Sequence, residues 1–431
     1  MTPEPDRPDD TTGLLRAVSR WEIVALSVND VVGSGVYLLP ATAALYLGSA
    51  SVLGVLAAGF AVLLLVLCFA EAGSLFDRAG GAYLYARAAF GNFVGFEVGW
   101  MTWIARLTSV ASLSAGFAQA LTTVWPAAAA GWGRALAIVL LVAFLTWINV
   151  IGVKSGARTG VILSVGKVAP LLLLIAVGLF AIRWERVLPV AVPSGKGLGE
   201  VGLLLLFAFA GFENTAAPAG EFKNPRRDVP FALLVMIAIV TAIYTLVQLV
   251  ALGTVPALAF SKTPLADSAS GVLGPWGVWL LTIGALLSIL GTNNNTMLAG
   301  PRYLYALAES GGLPRFLARV HPTYRTPYVA IVFQAALALP LALSGKFETL
   351  ATLSVIARLA TYIATAAAVP VLRRKLPSTP RAIRLPGGPA IPIAALAVCL
   401  MFLASAEPRN WLAGALALAI GAAIYLVRRR F

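Results

Sequence analysis

The sequence predicts an all-α polytopic membrane protein of twelve transmembrane helices. Of 431 residues, 59% are hydrophobic and only 12% are charged, against about 25% charged in a soluble domain. Mean hydropathy is +0.88. Apolar stretches of about 20 residues, the length that spans a bilayer, recur along the chain. Two of them are interrupted in the middle by glycines and polar residues, five spans apart.

The predicted spans cover about residues 22–47, 51–75, 95–123, 132–151, 158–182, 200–222, 229–254, 275–306, 327–344, 349–371, 389–406 and 410–427. The third and eighth are long enough to tilt. Residues 1–20 are polar and rich in Pro and Asp, without the basic-then-apolar order of a cleaved signal peptide. They read as a cytoplasmic tail. The segment "RAGGAYLYARAAFG", between the second and third spans, reads as an amphipathic interfacial element.

Basic residues alternate in density from one connecting segment to the next. With the N-terminus inside, 22 of the 32 Lys and Arg fall on the cytoplasmic side, 7 on the other, and 3 inside spans. The positive-inside rule then places both termini in the cytoplasm, in a plasma membrane of the bacterial inner-membrane kind. The net charge of +14 is thereby a record of topology and not of nucleic-acid binding. One histidine, His321, and two scattered cysteines, Cys68 and Cys399, offer no zinc, haem or disulfide framework. No GxxxxGK[ST] loop is present, so nucleotide-driven transport is not expected. A membrane-embedded enzyme would need a nucleophile–base pair or metal ligands at depth; with no histidine in any span, no enzyme and no cofactor are expected.

The first interruption is "VNDVVGSGVYLLP", residues 28–40, with Asp30, Gly33, Ser34 and Gly35 inside an apolar run. The second lies in "GFENTAAPAGEFKNPRRDVP", with Gly211, Glu213, Asn214 and Pro218. The first span enters from the cytoplasm and the sixth from outside. Paired interruptions in halves of opposite orientation point to an inverted-repeat transporter, with repeats at 21–182 and 200–372, an appended pair at 389–427 and a cytoplasmic end at 428–431. Unwound backbone at membrane depth persists only where it lines a cavity or is buried in protein. The break at Gly33–Gly35 presents N–H groups at the start of a half-helix, which suit a carboxylate. The break around Ala210 and Gly211 presents carbonyls, which suit an ammonium. A carboxylate site facing an ammonium site has the outline of an amino acid backbone. The alternative is that the glycines serve close helix packing alone.

Charged residues inside spans cost about 2.5–3.5 kcal/mol on insertion scales, and so call for a partner or a function. Lys167, in "SVGKVAPLLLL", sits among apolar residues that disfavour its charged form. It is read as a proton-coupling group, or else as a lysine tied to carbonyls of the first span. Glu213 is read either as a gate or as a cap on loose N–H groups. Arg106, in "WMTWIARLTSV", must pair; Glu213, Asp30 or the substrate are its candidates. Arg358 falls toward the outer half of the tenth span, in a structural or gating pair. Of Asn293, Asn294 and Asn295, consecutive on one helix, Asn295 is expected to face the cavity.

With "FDRAGGAYLYARAAFG" and "LAGPRYLYALAESGGLPRFLARV" added to the two interrupted segments, the chain resembles the amino acid–polyamine–organocation (APC) superfamily of transporters, from about Trp21 to the tenth span. The resemblance implies the five-plus-five inverted repeat shared with the leucine transporter, and amino acids or their decarboxylation products as substrates. It implies a substrate carboxylate on Ser34 and Gly35, an ammonium on carbonyls near Phe207, Ala208 and Ala210, and Phe207 closing over the ligand. Lys167 matches a fifth-span lysine of proton-coupled and exchanging members, where sodium-coupled relatives bind sodium. Glu213 matches an acid of proton-linked gating in an arginine/agmatine exchanger branch. That branch carries a tryptophan where this chain has Asn295 and no basic residue at Arg106, which speaks against arginine. The expectation is a proton-coupled, sodium-independent carrier of a neutral amino acid. The alternatives are exchange without net proton flux, and an acidic substrate held by Arg106.

Overall fold

The computed structural model describes residues 18–76, 80–152, 157–190, 195–216, 219 and 222–428. Over these residues the fold is helical, and the sole extended pairing is an isolated bridge between Val18 and Phe222. The helices are α1 (Arg20–Val31), α2 (Ser34–Leu47), α3 (Ser51–Gly73), α4 (Gly81–Phe90), α5 (Asn92–Leu121), α6 (Gly131–Ile151), α7 (Ala157–Gly178), α8 (Gly195–Phe209), α9 (Pro225–Thr254), α10 (Pro264–Glu309), α11 (Tyr328–Ser344), α12 (Phe347–Lys375), α13 (Ala390–Ala404) and α14 (Pro408–Arg428). Seven stretches are long and apolar enough to cross a bilayer: Ser34–Gly73, Gly131–Ile151, Gly197–Asn214, Pro225–Thr254, Pro264–Glu309, Phe347–Lys375 and Pro408–Arg428. Gly166–Ala181, Tyr328–Ser344 and Ala390–Ala404 are apolar but shorter. The chain is a multi-pass membrane protein.

The first predicted span is two helices. Glu22 starts α1 by accepting bonds from the Ser19 N–H and hydroxyl, both at 2.7 Å, the reciprocal half of a capping box. Val32 is extended and Gly33 is non-helical before α2 begins at Ser34. At 1.5 Å per residue each piece is only about 20 Å long, too short to cross an apolar layer of about 30 Å alone.

The second interrupted segment breaks where expected: α8 ends at Phe209, just before Ala210 and Gly211, and a 3-10 turn, Phe212–Asn214, follows. Gly211 takes φ +129°, and the Glu213 carboxylate accepts its N–H at 2.9 Å. That local bond uses a donor which a continuing helix would have needed. Pro218, named with this interruption, lies outside the described residues. The eighth predicted span begins where α10 bends, at Gly274.

Packing centres on α5, whose most extensive contacts are with α12 and α10. It misses the apolarity criterion because Thr102, Arg106, Thr108, Ser109, Ser112 and Ser114 dilute it, and all six are buried. A polar helix with a buried polar face marks the protein interior. By contrast, α14 leans only on α5 and α12 and leaves Leu412, Leu416 and Leu426 exposed. The α2–α8 contact is unusually close. A Cβ on Gly35 would lie 2.6 Å from the Ala208 backbone, and one on Gly211 would lie 2.7 Å from the Asp30 carbonyl oxygen. Only glycine permits these approaches, so the two interruptions touch.

Candidate functional site

The two breaks wall a single cavity between α2, α5, α8, α10 and α12. Its volume is only about 30 Å³, so it is narrow. Asp30, Gly33, Ser34, Gly35, Arg106, Phe207, Ala208, Ala210, Gly211, Asn295 and Arg358, singled out from sequence, all line it. Lys167 and Glu213 stand behind the wall.

Ser34 opens α2 at the break, is 1% exposed, and its hydroxyl has no hydrogen-bond partner. The Thr292 hydroxyl, on the α10 wall, is also without one. On the α8 side the carbonyls are partly used. Phe207 O accepts the Ala210 N–H at 3.1 Å. The buried Tyr244 hydroxyl lies 3.0 Å from Val31 O and 3.1 Å from Ala208 O, sharing its proton between the two breaks. The Phe207 ring forms part of the wall and meets Phe347 edge-on at 5.8 Å.

Glu213 gathers the ionic contacts. One oxygen takes Arg358 Nη1; the other accepts the Tyr362 hydroxyl at 3.1 Å and the Gly211 N–H at 2.9 Å. Glu213 therefore pairs with a cation and caps a backbone N–H. Arg358 is fixed further by Ser109 at 2.8 Å and Ser354 at 3.2 Å. The sequence estimate set it toward the outer half of its helix; the structure brings it into the central cavity, because α12 crosses α5 beside the second break. Arg106 Nη2 is 3.8 Å from Glu213, at the edge of ion-pair range, and that nitrogen has no hydrogen-bond partner. It shares a carboxylate already occupied by Arg358, a competitor that depth alone did not reveal. Asp30, another candidate for Arg106, instead accepts Asn295 Nδ2 at 2.8 Å.

Lys167 is 1% exposed and donates to the Asn29 carbonyl in the last turn of α1, where the helix end carries partial negative charge. Its own carbonyl accepts the Tyr37 hydroxyl at 2.6 Å. One lysine thus clamps α7 to both halves of the broken span. Asn295 reaches the cavity as expected, whereas Asn293 donates to Ser114 at 3.0 Å and Asn294 accepts from Asn149 at 2.9 Å.

Sequence reasoning passed over Ser109, Leu113, Thr292 and Thr296, which also line the cavity. A signal was present. Arg106, Ser109 and Leu113 follow i, i+3, i+7 spacing, and Thr292, Asn295 and Thr296 follow i, i+3, i+4, so each set shares one helix face.

A broken first span packed against a second broken segment around a polar cavity defines a membrane carrier. Residues 18–416 match the family model for amino acid permeases, and the chain belongs to that family, within the APC superfamily. It is not an enzyme. It is 30% identical over 428 residues to the serine/threonine exchanger SteT of Bacillus subtilis, covering 96% of each chain. It is 28% identical over 436 residues to the methylthioribose transporter of the same organism, covering 97% of this chain and 94% of that one. The branched-chain amino acid permease BcaP, also of B. subtilis, is 26% identical over 411 residues, covering 90% and 88%. The relatives named for amino acids support amino acid transport as the function.

Proposed function

We propose that the chain is a secondary active amino acid transporter that works by alternating access and binds its substrate between the two breaks. Twelve transmembrane helices would form two inverted repeats, 21–182 and 200–372, with 389–427 appended. Both termini would lie in the cytoplasm of a bacterial inner membrane. The observation that carries the reading is a pair of interrupted segments in contact beside one cavity, where the Ser34 hydroxyl and Arg106 Nη2 lack hydrogen bonds. The α2 start and Ser34 would take the carboxylate, and the carbonyls near Phe207 and Ala210 the ammonium. The cavity is narrower than an amino acid, so binding requires the bundles to move.

Four buried ionisable groups, Arg106, Arg358, Lys167 and Glu213, cluster here with the half-buried Asp30. With all five charged, the set carries one net positive charge. A neutral zwitterion is balanced when Lys167 gives up its proton, which makes proton movement part of the cycle and leaves no role for sodium. A second reading is favoured by the crowding of Glu213. Because Arg358, Tyr362 and Gly211 already occupy that carboxylate, Arg106 retains donor capacity for an acidic side chain, and an acidic substrate balances the charged set with Lys167 protonated. Exchange without net proton flux is the remaining alternative, and one relative is named an exchanger. Counterflow in liposomes, with unlabelled serine, leucine, glutamate and methylthioribose as competitors, separates these. Displacement by serine or leucine supports the neutral reading and displacement by glutamate the acidic one. Displacement by methylthioribose alone would reject an amino acid substrate.

A further inference from the structure

A second cavity lies at the end of the bundle where α4, the N-terminus of α5 and the C-termini of α10 and α14 meet. It is the roomier of the two, with about 810 Å³ of empty space and about 320 Å³ open to the centres of water-sized molecules. Its polar wall consists of Tyr83 and Arg87 from α4, Asn92 from α5, Ser310 after α10, and Tyr425 and Arg428 from α14. Among the described residues, no Asp or Glu lines it. Glu309, the acid next to Ser310 in sequence, accepts the Tyr305 hydroxyl at 3.1 Å, one turn back on α10.

The basic groups are positioned. Arg87 Nε donates to Asn92 Oδ1 at 3.0 Å and Nη1 to the Tyr83 hydroxyl at 3.3 Å, which fixes the plane of the guanidinium. A fixed guanidinium beside a second arginine, with hydroxyl and amide groups around them, matches the donor pattern of a phosphate.

Exposed apolar side chains adjoin the wall as a rim: Phe93, against the Tyr425 ring, and Leu426 and Val427, between Tyr425 and Arg428 in sequence. The Tyr425 ring packs on Phe93 at 5.2 Å and on Phe96 at 5.3 Å, joining the basic wall to the outward face of α14. A phosphate alone would use the polar wall; a phosphate carrying acyl chains would use the rim as well. We propose that this cavity binds the phosphate of an anionic phospholipid, whose acyl chains lie along the exposed face of α14. The choice of the cytoplasmic leaflet rests on the orientation proposed above; the site itself does not depend on what is transported. A basic pocket between helices on the cytoplasmic side is the physical setting in which lipid headgroups are held.

The test uses delipidated full-length protein in native mass spectrometry with added phosphatidylglycerol or phosphatidylcholine. The wild type is expected to retain phosphatidylglycerol over phosphatidylcholine, and R87Q/R428Q to lose that preference by about tenfold. R315Q/R319Q, which removes two exposed arginines elsewhere on the same side, is expected to keep it. Equal loss in both variants would reduce the effect to general attraction by a basic face and overturn the site. Displacement of the lipid by inorganic phosphate would overturn the lipid assignment. Should R87Q/R428Q fail to fold, the wild type decides the matter with a phosphatidylglycerol carrying a photoreactive headgroup. Labelling of residues 83–96 and 425–428 supports the site, and labelling confined to other helices overturns it.

Discussion

Glu71, in the last turn of α3, and Glu213, just past the second break, are both buried against two arginines, at 1% and 8% exposure. Around Glu71 the bonding is complete. Arg373 binds it with Nε and Nη2, each at 2.6 Å, Leu385 N–H adds a bond at 2.9 Å, and Arg381 stands at 3.6 Å. Both arginines are also held by backbone carbonyls, Arg373 by Gly388 and Arg381 by Leu376. This cluster pins the segment after α12 to α3 and has no capacity left for a ligand. Around Glu213 a guanidinium nitrogen of Arg106 goes unmet, and the vacancy faces a cavity. Similar ingredients give a fastener in one place and a site in the other. The difference lies in whether every donor is used.

The largest expected effect separates the two clusters. Removing one partner of a buried ion pair costs about 3–5 kcal/mol, because the other charge is left uncompensated. Glu71→Gln and Glu213→Gln should both lower the thermal unfolding midpoint in detergent. Glu71→Gln should retain stabilisation by added substrate, which reaches about 2.7 kcal/mol at a hundred times Kd, while Glu213→Gln should lose most of it. Equal retention in both would erase the distinction drawn between them.

Next comes Gly35→Val, whose side chain would enter the 2.6 Å approach to Ala208. We expect substrate-induced stabilisation to vanish while the protein still inserts. An unchanged apparent affinity in a thermal-shift titration would remove the first break from the site.

Arg106→Ala sharpens the charge argument. If the substrate is acidic, its uptake should fall sharply while any weak transport of neutral amino acids persists. If Arg106 only balances Glu213, uptake of every substrate should fall together. Uptake assays across the panel distinguish the outcomes.

The most specific functional effect belongs to Lys167→Ala. Its loss removes one bond to the Asn29 carbonyl and leaves the cavity wall intact. Substrate binding should survive, whereas accumulation driven by an inward proton gradient should be lost, since a ligand, here a proton, shifts a conformational equilibrium only through differential stabilisation. Wild-type uptake should be the same in sodium and choline buffers. Gradient-driven accumulation by the variant would make Lys167 purely structural.

Much of this was legible in the sequence. Long apolar runs fix helices because a helix satisfies its whole backbone within one segment in lipid, and helices lie in every predicted span. Gly33, Ser34 and Gly35 stood out because glycine and serine are costly inside an apolar helix. The Arg358–Glu213 pair was hidden by a sequence separation of 145 residues; depth along a helix says how far a residue sits across the layer, but not which way it faces. Ser109 and Thr292 escaped because neutral hydroxyls carry no insertion penalty large enough to flag them.

The most direct test of the central claim, that substrate lies between the two breaks, is protection of a single reporter thiol. The native Cys68 and Cys399 are buried, so labelling of Ser34→Cys by a small methanethiosulfonate reagent can be read over a low background. With substrate at about ten times Kd, occupancy should slow labelling at this position about tenfold, while labelling of Ser310→Cys at the second cavity stays unchanged. Labelling of Ser34→Cys at the same rate with and without substrate would contradict the account.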